Sequence, residues 1–442
     1  MDRARTGPVV PLRSHAGQPG LYVHVPFCAR KCRYCSFVSV ASSDPALREA
    51  YVETVCREIL QASRGTTGGE VADTVFFGGG TPSLLAAEQL TRILQTMRDA
   101  GLLPSPAATR DPGLGTRDVC EITVEANPGT VDRAKLATLR EAGFNRLSLG
   151  AQSFDDAALR LLGRIHTARE TGEAVRAARA AGFDNVSLDL IFALPGQTLE
   201  AWKADLRAAA DLGVGHVSGY LLQLDDETPL AAAVRRGEIR LPDESLQAEM
   251  LLCAADALGA AGLARYEISN YARPGLECRH NVKYWTGAPY LGFGPAAHSF
   301  APGGDSRAAG RPGEGRGLPV RRSDACEGGS PPGCCWGIRW ANVPDVEEYV
   351  RRLRAGESPV ATREALTREQ RMFETVFLGL RMARGVDLAA FARERGEDFD
   401  ARHGATAKRL LDQGLLERAD GFLRLTRKGL PVADSVMAEF AF

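Results

Sequence analysis

From Leu21 to about Gln223 the chain alternates short β-rich runs with helix-patterned segments, six times over. The runs expected as strands are Leu21–Val25, Thr74–Phe77, Ile122–Glu125, Arg146–Leu149, Val186–Ile191 and His216–Leu222. Such alternation folds as parallel βα units, because each helix must return the chain to the same end of the sheet. Asp44-Pro45 offers an N-cap and first helical residue. Leu47, Tyr51, Val55 and Ile59 follow as an i+4 stripe suited to packing on that sheet. Six units suit an incomplete barrel better than a small open sheet. The expected class is therefore α/β: a partial (β/α)6 barrel, then a mainly helical C-terminal domain with a winged-helix-like end. In barrels of this kind the chemistry sits at the carboxyl ends of the strands.

Charge narrows the function. Lys+Arg 54 against Asp+Glu 55 leaves a net charge of −1, which argues against bulk attraction to nucleic acid or anionic lipid. No nucleic-acid partner is expected. No run of about 18 apolar residues suggests a membrane span. The opening MDRARTGPVVPLRSHAGQPG has charge but no apolar stretch, and reads as a loose tail over residues 1–20, not a signal peptide. A cytoplasmic location follows as the expectation, with contact to membranes only through partners, and thiols there stay reduced. Ten cysteines are scattered along the chain, and only Cys28, Cys32 and Cys35 have ligand-like spacing.

The expected organisation is a barrel core over 21–230, a barrel-closing extension over 231–300, an insertion over 301–338 and a helical domain over 339–442. Residues 103–118 are rich in Pro, Gly and Thr and read as a surface loop. Residues 301–337 hold ten glycines and five prolines, too biased to bury much apolar surface. Cys326, Cys334 and Cys335 within them read as solvated thiols. Near the end, Lys408–Leu411, an Asp420-Gly421 turn and Phe422–Thr426 suggest a helix followed by a small hairpin. Residues 401–442 carry seven Lys/Arg against five Asp/Glu, a weak bias for a DNA-binding winged helix.

The first strand runs through Pro26 into Cys28-x3-Cys32-x2-Cys35. Three thiolates on one loop can hold three irons of a cubane cluster and leave the fourth open, whereas a cluster held wholly by protein takes four. The alternative is zinc with a distant fourth ligand. With aromatic Tyr34 before the last cysteine, CxxxCxxC resembles the signature of radical S-adenosylmethionine (SAM) enzymes. The resemblance implies a [4Fe–4S] cluster whose open iron is chelated by SAM, and an electron donor such as flavodoxin or ferredoxin.

Later motifs narrow the match: Phe77-Gly78-Gly79-Gly80-Thr81-Pro82, Thr123-Val124-Glu125-Ala126-Asn127-Pro128, Leu149-Gly150-Ala151-Gln152-Ser153-Phe154, Leu162-Gly163-Arg164-Ile165-His166 and Asp189-Leu190-Ile191-Phe192-Ala193-Leu194-Pro195-Gly196. Each stands at the end of an expected strand or just beyond. They resemble oxygen-independent coproporphyrinogen III oxidase and its relatives. That resemblance implies SAM binding by Tyr22, Tyr34, Gly79, Gly80, Thr81, Glu125, Gln152, Arg164 and Asp189, with room for a second SAM.

The true oxidases carry a fourth cysteine where this chain has Phe37, and an N-terminal arm for which the 27 residues before Cys28 leave no room. Ala193 stands where many relatives have Gly. Tyr266-Glu267-Ile268-Ser269-Asn270-Tyr271, His280-Asn281-x-x-Tyr284-Trp285 and Leu291-Gly292-Phe293-Gly294 with Ala297-His298-Ser299 point elsewhere. HNxxYW resembles the heme chaperone branch of the oxidase-like group. It implies heme as cargo and transfer to heme-accepting proteins such as respiratory membrane components, without the oxidase activity. His280, Tyr284 and Trp285 are the heme candidates, Cys278 a lesser one, and His24 a candidate near the chemistry. Two other readings stay open: an active porphyrinogen oxidase, and a heme-binding module whose cluster is structural or regulatory.

Overall fold

The computed structural model describes residues 17–63, 71–104, 120–303 and 336–441. Most of the tail, the 103–118 loop, and the insertion with Cys326, Cys334 and Cys335 lie outside these residues.

Six parallel strands form where the sequence places them: β1 (Gly20–Val25), β2 (Thr74–Gly79), β3 (Glu121–Ala126), β4 (Arg146–Gln152), β5 (Asn185–Phe192) and β6 (His216–Leu221). They pair in chain order. The segment 231–300 extends both edges. Its strand β7 (Asn270–Ala272) lies antiparallel to β6, and β8 (Tyr290–Phe293) lies parallel to β1 as a seventh parallel strand. Strands β9 (His298–Pro302), β10 (Gly337–Asn342) and β11 (Val360–Ala365) then continue the sheet antiparallel. Gly303 N–H donates to Trp336 O at 3.1 Å, so the strands flanking the insertion meet directly at its ends.

The crossover helices start where the sequence supplies caps. Asp132, Asp155, Thr167, Thr198 and Asp243 each accept a first-turn backbone N–H, satisfying donors that have no partner within the helix. Helix Pro45–Ser63 buries Tyr51, Val55 and Ile59 of its expected stripe. Alternate strand residues, such as Val23, Val75, Val124, Leu147, Leu188 and Val217, face these helices and are buried.

The other face is different. Parallel strands covered on both faces usually read as continuous apolar runs. Here the inward positions are Tyr22 and His24, Thr74 and Phe76, Thr123 and Glu125, Arg146 and Ser148, Ser187 and Asp189, His216 and Ser218. Period-two alternation therefore makes a polar lumen inside an apolar wall.

Beyond the sheet, helices Arg368–Arg381 and Phe399–Asp412 build a second core around Met372, Val376, Phe391, Leu410, Leu423 and Phe440. The hairpin Leu416–Ala419 with Phe422–Leu425 turns at Asp420 and Gly421, both with positive φ, as a two-residue hairpin loop of this type requires. No described helix is long and apolar enough to cross a membrane.

Candidate functional site

The cysteine loop leaves the carboxyl end of β1 and folds back over the lumen. Backbone bonds fix it: Val40 N to Pro26 O at 2.7 Å, and Arg33 N to Leu162 O at 3.0 Å. Helix Pro229–Arg235 adds Leu230 N to Arg33 O at 2.9 Å. Cys28, Cys32 and Cys35 are all partly exposed thiols.

The three glycines after β2 serve three separate contacts. A Cβ on Gly78 would stand 2.9 Å from Phe76 and 3.2 Å from Glu125. Gly79 has φ +114 and lies against His24. A Cβ on Gly80 would stand 2.7 Å from Phe27 O and 3.1 Å from Cys28 Sγ. Only glycine lets this turn approach the cysteine loop so closely. Thr81 Oγ1 then lies 3.8 Å from Cys28 Sγ and accepts from Asn127 Nδ2 at 3.0 Å.

Arg164 joins the loop to the wall. Its Nη1 lies 3.6 Å from Cys32 Sγ, and its Nη2 donates to Gly150 O at 2.8 Å and to Asn127 Oδ1. Its buried Nε has no partner. Cys32, Thr81, Asn127, Arg164 and Ile165 line a small cleft open to solvent.

Deeper in the mouth, Glu125 accepts from Gly79 N–H and faces Asp189. Burial first, then the Asp189 charge, pushes the Glu125 carboxyl up to about 8. Asp189 accepts from Ser148 Oγ at 3.2 Å and also from Ser218, and burial raises it too. Arg146 lies beneath them, 2% exposed, with a buried Nε lacking a partner. Its charge opposes the rise at both carboxyls. Gln152 ends β4 with φ +66, where the pairing to β5 shifts register. Ala193 follows β5 directly, with φ +58. That is a left-handed position, which accounts for glycine suiting it better than alanine.

Gly79, Gly80, Thr81, Glu125, Gln152, Arg164 and Asp189 thus gather around one opening next to the cysteine trio. Tyr34 packs with Leu162, Ile191 and Leu194 and lies beside Arg164. Tyr22 lies lower in the lumen, its OH bonded to His24 Nδ1 at 3.1 Å, and its ring stacks on Phe76. His24 Nε2 donates to Val38 O at 2.8 Å and so ties the cysteine loop to β1, while its Nδ1 is taken by the Tyr22 hydroxyl.

The HNxxYW helix, Arg279–Thr286, lies at the opposite end. Glu121, first residue of β3, accepts from Arg279 N at 3.0 Å and His280 N at 3.1 Å. His280 is 1% exposed. Its nitrogens bond Thr74 Oγ1 and Tyr284 OH, each at 2.9 Å. Trp285 packs with Tyr266, Val282 and Met382 beneath the Arg381 guanidinium, 4.4 Å from its ring centre. Cys278 is buried and directs its thiol to Glu121. The motif plugs the amino end of the lumen. It does not bring His280, Tyr284 or Cys278 to the mouth, and each nitrogen of His280 is already taken by a hydrogen bond within the plug.

Residues missed in the sequence are Asn127, Ser148, Ser218, Thr123 and Arg146. The signal that could have found them is the alternation itself: RLSLG and HVSGY each place small or charged groups on one face.

The donor set suits a cluster. Among the described residues no three His, Cys, Asp or Glu side chains gather to hold a single metal ion, as the zinc alternative would need. A cubane instead offers a separate iron to each thiolate. The uncovered Arg164 Nε and the glycine cradle at Gly80 leave polar and steric room beside it.

The model of the radical SAM superfamily matches residues 22–209, and that of the HemN C-terminal domain matches residues 366–432. The chain is 32% identical over 419 residues to the heme chaperone HemW of Bacillus subtilis, covering 95% of this chain and 98% of that one. It is 34% identical over 425 residues to heme chaperone HemW of Mycobacterium tuberculosis, covering 95% and 94%. Among solved structures, coproporphyrinogen III oxidase (HemN) from Escherichia coli superposes with a TM-score of 0.74 at 21% identity, covering 97% of this chain and 91% of that one. That likeness establishes a shared fold.

Proposed function

The chain belongs to the heme chaperone HemW family of radical SAM proteins, and from that premise we propose that it binds heme and hands it to heme-accepting proteins. Similarity along nearly the whole chain to heme chaperones, from barrel through C-terminal domain, is the observation that carries this reading.

Cys28, Cys32 and Cys35 hold the [4Fe–4S] cluster in this reading, and SAM fills the mouth beside it. The cluster, when bound, supplies an electron to SAM. The chain's own residues do the rest. Thr81 and Arg164 steady the Cys28 and Cys32 sulfurs. Gly79 and Gly80 let the backbone come close to the ligand. Glu125 and Asp189 offer carboxylate acceptors to hydroxyl or amino groups, and Arg146 below favours their charged forms. A donor of the flavodoxin or ferredoxin kind would reduce the cluster when it is bound. Acceptors of the heme are hemoproteins, including membrane-bound respiratory components.

One specific observation separates this from an active porphyrinogen oxidase. Phe37, where the oxidases carry a fourth cysteine, is 66% exposed at the tip of the cysteine loop. An apolar side chain at that exposed spot suits holding a porphyrin face better than acting on its edge. The test is an anaerobic assay of reconstituted protein with coproporphyrinogen III, SAM and a reductant. No carbon dioxide release is expected. Multiple turnovers would replace the chaperone reading with the oxidase.

A further inference from the structure

We propose that Asp205, on the helix that follows β5, is the positioning residue that aims Gln152 at bound SAM. The proposal rests on the SAM-binding reading above and adds a buried residue that acts through Gln152.

The backbone after β4 is the first observation. Gln152 has φ +66, and Ser153 N donates across it to Ala151 O at 2.9 Å. That is a three-residue turn through a left-handed centre, a strained form. Such a turn persists only where its surroundings hold it. Ala193, with φ +58, puts a second left-handed residue that is not glycine at the end of the neighbouring strand.

The carboxylate that holds the turn is the second. Asp205 lies in helix Leu199–Asp211 and is 4% exposed. It accepts from Phe154 N at 2.7 Å and from Ser153 Oγ at 2.9 Å, two donors that follow the turn at once. It also accepts from Gln197 Nε2 at 3.3 Å, and Gln197 Oε1 accepts from Leu194 N at 3.2 Å. One carboxylate therefore ties the turn after β4 to the turn after β5. Burial raises its carboxyl to about 6 against these hydrogen bonds, so it is an acceptor at neutral pH.

The direction of Gln152 is the third. A Cβ on Gly150 would stand 2.8 Å from Gln152 Nε2, 2.9 Å from Asn127 Oδ1 and 3.2 Å from Arg164 Nη2. Three polar groups thus converge over one bare glycine, and Arg164 links them to Cys32. Satisfying Ser153 and Phe154 alone would not need a charge, and burying a carboxylate costs desolvation. What the carboxylate adds is a fixed turn, and with it a fixed Gln152 amide beside Arg164.

The test is SAM titration of the reconstituted full chain, with iron and sulfide content read alongside. Asp205→Ala should bind SAM about three- to tenfold more weakly, the worth of one hydrogen bond, at unchanged iron and sulfide. Gln152→Ala should lose about as much. The double variant should lose no more than either single one, because both changes remove one contact. Asp205→Asn, which keeps an acceptor for Phe154 N, should recover most of the affinity. Hydrogen exchange of the Phe154 amide in the cluster-free chain should quicken in Asp205→Ala and stay at the wild-type rate in Gln152→Ala. Ser153→Ala, which removes one bond to the carboxylate, gives the same comparison if Asp205→Ala does not fold. Wild-type SAM affinity in Asp205→Ala, or losses that add fully in the double variant, would overturn the positioning role and leave SAM binding intact. A wild type that binds no SAM would overturn both.

Discussion

Arg164 holds Cys32 at the mouth of the barrel, its Nη1 3.6 Å from the Cys32 sulfur while its Nη2 is anchored on Gly150 O at 2.8 Å. That contact positions the Cys32 sulfur beside the other two cysteines of the loop. Cys32→Ala should therefore abolish the thiolate-to-iron charge-transfer absorption of the reconstituted protein. Arg164→Met should lower cluster yield, whereas Cys334→Ala and Cys335→Ala should retain it. Iron and sulfide analysis of all four variants checks this; full iron content in Cys32→Ala would remove the trio as ligands.

In the proposed reading Glu125 and Asp189 bond SAM and do not ligate the irons. Glu125→Ala or Asp189→Ala should weaken SAM binding by about 1.5–3 kcal/mol, the worth of a charged hydrogen bond, or about ten- to a hundredfold. Iron content should not change. Calorimetric titration that finds wild-type SAM affinity in both variants would reject their placement at the ligand.

The same pair sets a pH dependence. Glu125 is raised from 4.5 to about 8 in the fold, by burial and then by Asp189. Between those values it is protonated when folded and ionised when unfolded. Its contribution to stability is full below about pH 4.5 and is lost as pH rises through about 8. Denaturant midpoints of the ligand-free protein should fall across that window, and Glu125→Gln should flatten the fall. A midpoint that climbs in step with pH in wild type alone would contradict the burial of a neutral Glu125.

His280 belongs to the plug, and its loss should show in stability. His280→Ala strands the Thr74 and Tyr284 hydroxyls and removes a ring stacked 5.3 Å from Phe76. The cost should be about 2–4 kcal/mol, read from thermal or denaturant unfolding, with hemin affinity unchanged. A fully stable variant that no longer binds hemin would return His280 to the role of ligand.

Much of this was legible in the sequence because it is local. The six strands, the Asp44-Pro45 helix start and the Asp420-Gly421 turn follow from patterns a few residues long, and the motifs at strand ends fall where parallel βα units put them. What escaped depends on pairing between distant segments. Tyr290–Phe293 joins β1 as a further parallel strand from 270 residues away in register, and nothing in its four residues announces that partner. The setting of His280 was hidden for the same reason: HNxxYW names polar and aromatic groups, but only the Glu121 and Thr74 contacts reveal which end of the barrel they occupy. The polar lumen was readable from alternation in RLSLG and HVSGY, masked by the ordinary expectation that parallel strands are apolar throughout.

The central claim is heme carriage, and its most direct measurement is transfer. Reconstituted wild-type protein loaded with hemin is mixed with a heme-free hemoprotein, and the acceptor's absorption spectrum is followed after separation. The expected result is stoichiometric hemin binding followed by transfer faster than hemin release into buffer alone. Failure to bind hemin, or transfer no faster than passive release, would contradict it.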